Sequence, residues 1–470
     1  MRNVSRAVNP KRPYDVVIIG AGQAGVPLAH ELARKGKRVA LAERKYLGGS
    51  CVNFGCTPTK AVIASARVAH LARRGYEFGL KIPEVRPDFR AVLARARAIV
   101  TQSTVALREG FADRENPMLL RGHARFRGRD GKLFRVSMGN EELLAGQVVL
   151  DTGTRSRIPD IEGLDRVNFL EAGNWLDRPK LPKHLVVVGG SYTGLEMAQF
   201  YRRMGSQVTV VENGEQITGH EDEDVALAIQ HFLESEDVTF RLGAAATRVT
   251  VKRGRLTLTL KTKDGTARIG ASDLFIAAGR QPNTDDLGLG SVGVRVAKDG
   301  IVPVDKRLAT NVKGIWAAGD IRGGPMFTHT AWDDYRVLLS QIAGDGSRTT
   351  DRIVPYAIYT DPQLGRVGMT EREARKKGGR IRIGRFEMNK NGKAREIGEP
   401  GGFVKVVAEV RNKRILGAAV LAAEGAELIH LVIDVMNAKA PYTVIRDAVH
   451  IHPTLAEAVQ SAVAGLESSR

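Results

Sequence analysis

Cys51 and Cys56 are the only cysteines in 470 residues, and four residues separate them in GGSCVNFGCTPTK (48–60). Two thiols this close can close a disulfide, open it, and carry two electrons in doing so. The alternative is a structural bridge or a pair of inert buried thiols. A bridge across so short a loop removes little chain entropy, and nothing else in the sequence fits a disulfide-stapled secreted protein. The redox reading is the favoured one. The segment runs directly into a helical pattern, with Pro58 suited to the first helical position and Lys60 and AVIASARVAHLARR continuing it. A helix N-terminus stabilises a thiolate. Cys56 is therefore expected to be the more stabilised sulfur and Cys51 the more exposed one.

A second constellation stands near the C-terminus, in HIHPTLAEAVQSAV (450–463). Pro453 marks a helix start with His452 at the cap, and Glu457 follows five residues after the histidine. That spacing suits a base whose imidazole is oriented by a carboxylate. Taken alone, the histidine is more often structural.

The elements that must position these groups come from an internal near-repeat. Residues 14–43 (YDVVIIGAGQAGVPLAHELARKGKRVALAE) and 184–212 (HLVVVGGSYTGLEMAQFYRRMGSQVTVVE) each read as strand, Gly-rich turn, amphipathic helix, strand and terminal acid. Gly20 to Glu43 and Gly189 to Glu212 are both 23 positions. Gly20, Gly22 and Gly25 allow a tight turn and bring backbone N–H groups to a pyrophosphate at a helix N-terminus, and Glu43 sits where an acid binds a ribose hydroxyl. The second copy reads Gly189, Ser191, Gly194, with serine as the next smallest residue at the middle position. Glu212 is followed by NGEQITG (213–219), which lacks a cation for a 2′-phosphate and favours NADH over NADPH. Two copies imply two dinucleotides in one chain. Between them lie a helical stretch (about 57–112) and a strand-rich one ending in QVVLDTGTRSRIP (147–159). Residues 353–470 read as strands followed by helices, including one near 425–438, without a nucleotide motif.

Length predicts two to three domains. The basic N-terminal stretch has no apolar run, so a secretory signal is not expected, and no segment approaches the roughly 20 apolar residues of a membrane span. With free thiols, these features point to the cytoplasm. The net charge of +19 admits nucleic acid, a membrane surface or an anionic substrate as partner. The basic residues are spread along the chain without a nucleic-acid motif, which favours a solvated basic surface. No resident metal is expected.

The cysteine segment, the two βαβ units, GIWAAGD (314–320) and HIHPTLAE together resemble the flavin-dependent pyridine nucleotide–disulfide oxidoreductases, across residues 14–465 and in order. The group includes dihydrolipoamide dehydrogenase, glutathione reductase and mercuric reductase. The resemblance implies an α/β chain with two Rossmann-like domains and a C-terminal α+β dimerisation domain. The FAD domain would span 1–159 and 281–350, the NAD(P)H domain 160–280 and the interface domain 351–470. FAD would lie on Gly20, Gly22, Gly25 and Glu43, with Thr152, Gly153, Lys60 and Asp320 as further contacts. NADH would lie on Gly189, Gly194, Glu212 and Gly279. Lys60 and Glu196 would pair beside the flavin and tune it. Electrons would pass from NADH through FAD to the Cys51–Cys56 disulfide, with Cys56 facing the flavin and Cys51 the substrate. His452, oriented by Glu457, would serve the other subunit's site in a homodimer.

Departures from family patterns narrow the substrate. The tail SAVAGLESSR lacks the extra cysteine pair typical of mercuric reductase, which soft Hg(II) would need. The HIHPTLAE motif and the NADH preference match dihydrolipoamide dehydrogenase. FTHTAWDDYRVL (327–338) does not, since an Ala- and Glu-rich helix is expected there. That segment looks more like the mercuric-reductase-like group that includes the bacterial reactive-chlorine-resistance flavoproteins. The expected acceptor is a disulfide or small oxidant, with lipoamide the alternative. A basic flavoprotein binding nucleic acid or a surface is the alternative of another class.

Overall fold

A computed structural model describes residues 12–467. The basic stretch over 1–11 and the last three residues, on which the leader and tail expectations partly rest, lie outside them. The chain divides into two compact units. One comprises Met1–Pro58, Ala96–Arg157 and Gly279–Arg352, and the other Thr59–Arg95, Ile158–Ala278 and Ile353–Arg470. The expected three-part division is finer: residues 158–278 and 353–470 share a unit, and 59–95 join them.

The first unit is built on a parallel sheet. Strand Tyr14–Ile19 lies between Val39–Glu43 and Glu141–Leu150, with Met118–Arg121 beyond the former. Ile315–Ala317 also pairs in parallel with Glu141–Leu150. An antiparallel meander, Ala124–Asp130, Leu133–Met138 and Glu141–Leu150, completes the sheet. Tyr14–Ile19 and Val39–Glu43 are almost wholly buried, as expected for parallel strands covered on both faces. Helix Gly25–Arg34 buries Gly25, Val26, Leu28, Ala29 and Leu32, one stripe at helical spacing. Four residues of the first strand, Val16, Val17, Ile18 and Ile19, therefore set the height at which the glycine turn leaves the sheet.

The second unit repeats this plan. Its parallel sheet runs Val238–Arg241, Gln207–Val211, His184–Val188, Asp273–Ile276, Leu170–Glu171. Helix Tyr192–Met204 follows the second glycine turn. A three-stranded antiparallel sheet over 245–271 and a five-stranded antiparallel sheet over 356–422 complete it. The helix expected near 425–438 is two pieces, Gly425–Leu428 and His430–Asn437. The α/β class and both βαβ units are as the sequence predicts. Among the described residues no helix is long and apolar enough to cross a membrane.

Candidate active site

The first glycine turn is packed so tightly that side chains are excluded. Gly20 has φ +104°, and a Cβ there would lie 2.2 Å from the Asp151 carbonyl oxygen. A Cβ on Gly22 would meet the Asp151 carboxylate at 2.7 Å, and one on Gly25 the Gly20 carbonyl at 2.3 Å. Glu43 closes the turn from the next strand: its Oε2 accepts from Ala21 N (2.9 Å) and its Oε1 from Lys45 N (2.6 Å) and Tyr46 N (2.9 Å). Thr152 and Gly153 follow the strand end, where a Cβ on Gly153 would meet nothing within 4 Å. Asp320 accepts from Thr154 Oγ1 at 2.8 Å, with Arg280 Nε 3.7 Å away. Bare backbone at a helix N-terminus, an acid on the next strand and open space beyond the strand end fit a dinucleotide.

The cysteines lie on two successive helices, Gly49–Asn53 and Cys56–Arg73, joined by a turn in which Phe54 N (3.1 Å) and Gly55 N (2.7 Å) both donate to Ser50 O. The second helix starts at Cys56, so Pro58 is its third residue and not its first. Proline is tolerated throughout a first turn, whose N–H groups have no partner within the helix. The expected order of exposure is reversed. Cys51 is half-buried inside its short helix, while Cys56 is exposed. Cys56 Sγ lies 3.3 Å from Thr328 Oγ1 on helix Thr328–Ala343.

In the second unit the turn is reproduced atom for atom at its tightest points. Gly189 has φ +117°, and its Cβ would sit 2.4 Å from the Ala277 carbonyl; one on Gly194 would sit 2.0 Å from the Gly189 carbonyl. Glu212 accepts from Gly190 N (2.7 Å) and Gly214 N (2.8 Å). Ser191 precedes the helix with extended backbone. This turn fits a second dinucleotide on the same grounds. Gly279 falls at the edge of the first unit, where its carbonyl accepts from Arg157 N at 3.0 Å.

Lys60 and Glu196, 136 residues apart, form an ion pair of 2.8 Å in the second unit. The carboxylate is 4% exposed and the lysine 33%. His452 and Glu457 also meet, Nδ1 to Oε1 at 3.0 Å. The helix there begins at Glu457 and not at Pro453, because Glu457 Oε2 accepts from Thr454 N (2.8 Å) and Thr454 Oγ1 donates to Ile451 O, closing a turn ahead of it. The Thr454 N–H, and then His452, hold the Glu457 carboxyl below its usual range. The dyad is presented on an open loop, with His452 77% exposed and Val449 fully so.

Three further positions that brace these turns and the ion pair were not singled out by any motif. Asp151, buried at the strand end, accepts from Gly25 N at 2.7 Å. Asp334 is fully buried. It accepts from Gly319 N (2.8 Å) and Arg322 Nε (2.7 Å), and Arg352 also reaches it (2.5 Å), which fixes the turn bearing Asp320. Tyr359 donates its backbone N–H to Glu196. Only the acid pair in FTHTAWDDYRVL offered a signal, as an unexpected feature of that helix.

The pyridine nucleotide–disulphide oxidoreductase family matches residues 14–334, and its dimerisation domain matches residues 354–463. A dihydrolipoyl dehydrogenase of Cupriavidus necator is 34% identical over 470 residues, covering 97% of this chain and 98% of that protein. The probable pyridine nucleotide-disulfide oxidoreductase RclA of Escherichia coli K12 is 32% identical, covering 95% and 98%. The solved structure of RclA, described as an HOCl-induced flavoprotein disulfide reductase, superposes with a TM-score of 0.86 at 32% identity, covering 97% and 99%. Its Cu(II) complex superposes with a TM-score of 0.87, covering 96% and 99%. With both nucleotide turns, the cysteine pair and the dimerisation domain in place, the chain belongs to the class I pyridine nucleotide–disulfide oxidoreductases and is a flavin-dependent enzyme of that family.

Proposed function

We propose that the protein is an NADH-dependent reductase of the RclA type, which passes two electrons through Cys51 and Cys56 to a small disulfide or oxidant. The observation that carries this reading over the lipoamide one is that the divergent helix meets the redox pair, with Thr328 Oγ1 3.3 Å from Cys56 Sγ. The helix that departs from the lipoamide pattern is the one that touches the reactive sulfur. Two relatives are almost equally similar, so family identity alone does not select the substrate.

FAD, held by Gly20, Gly22, Gly25, Glu43, Thr152, Gly153 and Asp320, supplies the two-electron relay between nicotinamide and thiols. The remaining chemistry belongs to the chain. Gly189, Gly194 and Glu212 hold NADH, and the Glu212 carboxylate repels a 2′-phosphate. Lys60, charge-balanced by Glu196, places a cation beside the flavin. Cys56 is kept as a thiolate by its helix N-terminus and the Thr328 hydroxyl. Cys51 exchanges with the acceptor. His452, oriented by Glu457, moves the proton across the homodimer to the other chain's cysteines.

Anaerobic NADH titration tests the relay. A long-wavelength absorbance tied to the Cys56 thiolate should appear at two electrons per chain, and be absent in Cys56→Ser. An acceptor screen on the same sample would include small disulfides, hypochlorous-acid-derived oxidants, Cu(II) and lipoamide. Lipoamide turnover tenfold above every other acceptor would move the protein to the dihydrolipoyl dehydrogenases.

A further inference from the structure

We propose that Tyr359 is the positioning residue for the Lys60 ammonium, acting through its ring face. This rests on the reading of Lys60 as the lysine beside the flavin. Glu196 is almost fully buried and has two oxygens to satisfy: Oε2 accepts from Lys60 Nζ at 2.8 Å, and Oε1 accepts from Tyr359 N at 3.0 Å. Lys60 Nζ also lies 4.5 Å from the centroid of the Tyr359 ring. Tyr359 thus touches both members of the pair, the carboxylate through its main chain and the ammonium through its π face. A lysine side chain has four rotatable bonds and a single carboxylate contact fixes only a distance. A second contact from another direction fixes where the charge sits.

The tyrosine can serve this purpose because its own segment is strapped down. Residues 359–361 lie along one stripe of helix Tyr192–Met204, formed by Glu196, Gln199 and Arg203 at spacings of three and four. Gln199 pairs with the Asp361 backbone in both directions, donating to its carbonyl (2.9 Å) and accepting from its N–H (2.8 Å). Arg203 binds the Asp361 carboxylate at 2.9 Å, and Arg67 binds it from helix Cys56–Arg73. Burial pushes the Asp361 carboxyl up, but the two guanidinium groups outweigh it and hold it below its usual range. Lys60 and Arg67 lie seven residues apart on one face of their helix, so that helix is tied to the strap at two points, Tyr359 and Asp361.

The test separates ring from backbone. Tyr359→Phe keeps the face, and Tyr359→Leu removes it while keeping the N–H to Glu196. In the FAD-loaded enzyme, Tyr359→Leu is expected to slow flavin reduction by NADH roughly 3- to 10-fold and to lower the flavin reduction potential, with Tyr359→Phe within about twofold of the parent. Fluorinated phenylalanines at 359 keep the volume and weaken the face stepwise, so rate and potential should fall with each fluorine even where the leucine variant fails to fold. Rates and potentials independent of fluorination would overturn the proposal. If Lys60→Met also leaves both unchanged, the flavin-side reading of Lys60 fails first. If Lys60→Met changes them and fluorination does not, the role of Tyr359 alone fails.

Discussion

Gly20 and Gly189 occupy the same place in two copies of one turn, yet the residue beneath them differs. It is Asp151 in the first copy and Ala277 in the second, each donating its N–H to the strand before the turn at 2.8 Å. The backbone plan is common: the same clashes exclude a Cβ, and the same acid on the next strand closes the loop. The side chain is not. Asp151 takes an N–H of the first helix's opening turn, where the second copy has a methyl group. Burial, first, and the neighbouring Asp320, Asp334 and Glu43 hold the Asp151 carboxyl well above its usual range, against the Gly25 N–H that lowers it. The first turn is therefore tailored from below, and the second only by its glycines and its acid.

The largest expected effect breaks the shared part of the plan. Gly25→Ala and Gly194→Ala each drive a methyl into a carbonyl oxygen, at 2.3 and 2.0 Å. Gly25→Ala should purify without FAD absorbance. Gly194→Ala should keep its FAD and lose NADH affinity by about 100-fold or more, equivalent to some 3 kcal/mol. Loss of FAD in Gly194→Ala would mean that the two turns are not independent. Next, Ala277→Asp transplants the carboxyl into the second turn. Affinity for NADH should fall about tenfold at pH 8 and less at pH 6, where the new acid can take up a proton. Equal affinities at both pH values would show that the transplanted group stays neutral or points away.

Asp151→Asn should have a smaller effect, visible in stability against pH. The folded state binds this proton more tightly than the unfolded chain. Its contribution is full below about pH 4, the ordinary range of an unfolded Asp, and is lost as pH rises through the raised folded value. Asparagine retains the acceptor for Gly25 N, so the variant's melting temperature should vary less between pH 5 and 9 than the parent's. A parallel pair of melting curves would assign the pH dependence to other groups. The smallest change is Ser191→Gly, which restores the glycine fingerprint of the first turn. It should alter NADH affinity no more than about threefold, because the serine backbone is already extended.

Both nucleotide turns were legible because their constraints are local: a run of valines and isoleucines, glycines at fixed offsets and an acid 23 residues on. The His452–Glu457 pair is suggested by its own spacing, whereas the Lys60–Glu196 pair is legible only through the family resemblance, since nothing in a single sequence brings positions 60 and 196 together. Asp151, Asp334 and Tyr359 escaped notice for a related reason. Each acts through a contact with a main-chain N–H (Gly25 N to Asp151, Gly319 N to Asp334, and the N–H of Tyr359 itself to Glu196), and such contacts leave no side-chain signature. The errors were local too. Proline at 58 and 453 was read as the first helical residue, whereas a first turn accepts proline at several positions and Glu457 closes a non-helical turn ahead of its helix. The reversed order of cysteine exposure is local as well: thiolate stabilisation at a helix N-terminus does not require burial, and Cys56 is exposed there while Cys51 is half-buried in its own short helix.

The two strand-end glutamates differ in how much backbone each secures. Glu43 engages three amides and Glu212 two. A nucleotide arriving at either turn meets a cradle already latched, so little chain entropy remains to be lost on binding. Each carboxylate latches its glycine turn through one amide, Ala21 N or Gly190 N, and holds the loop after its own strand with the rest.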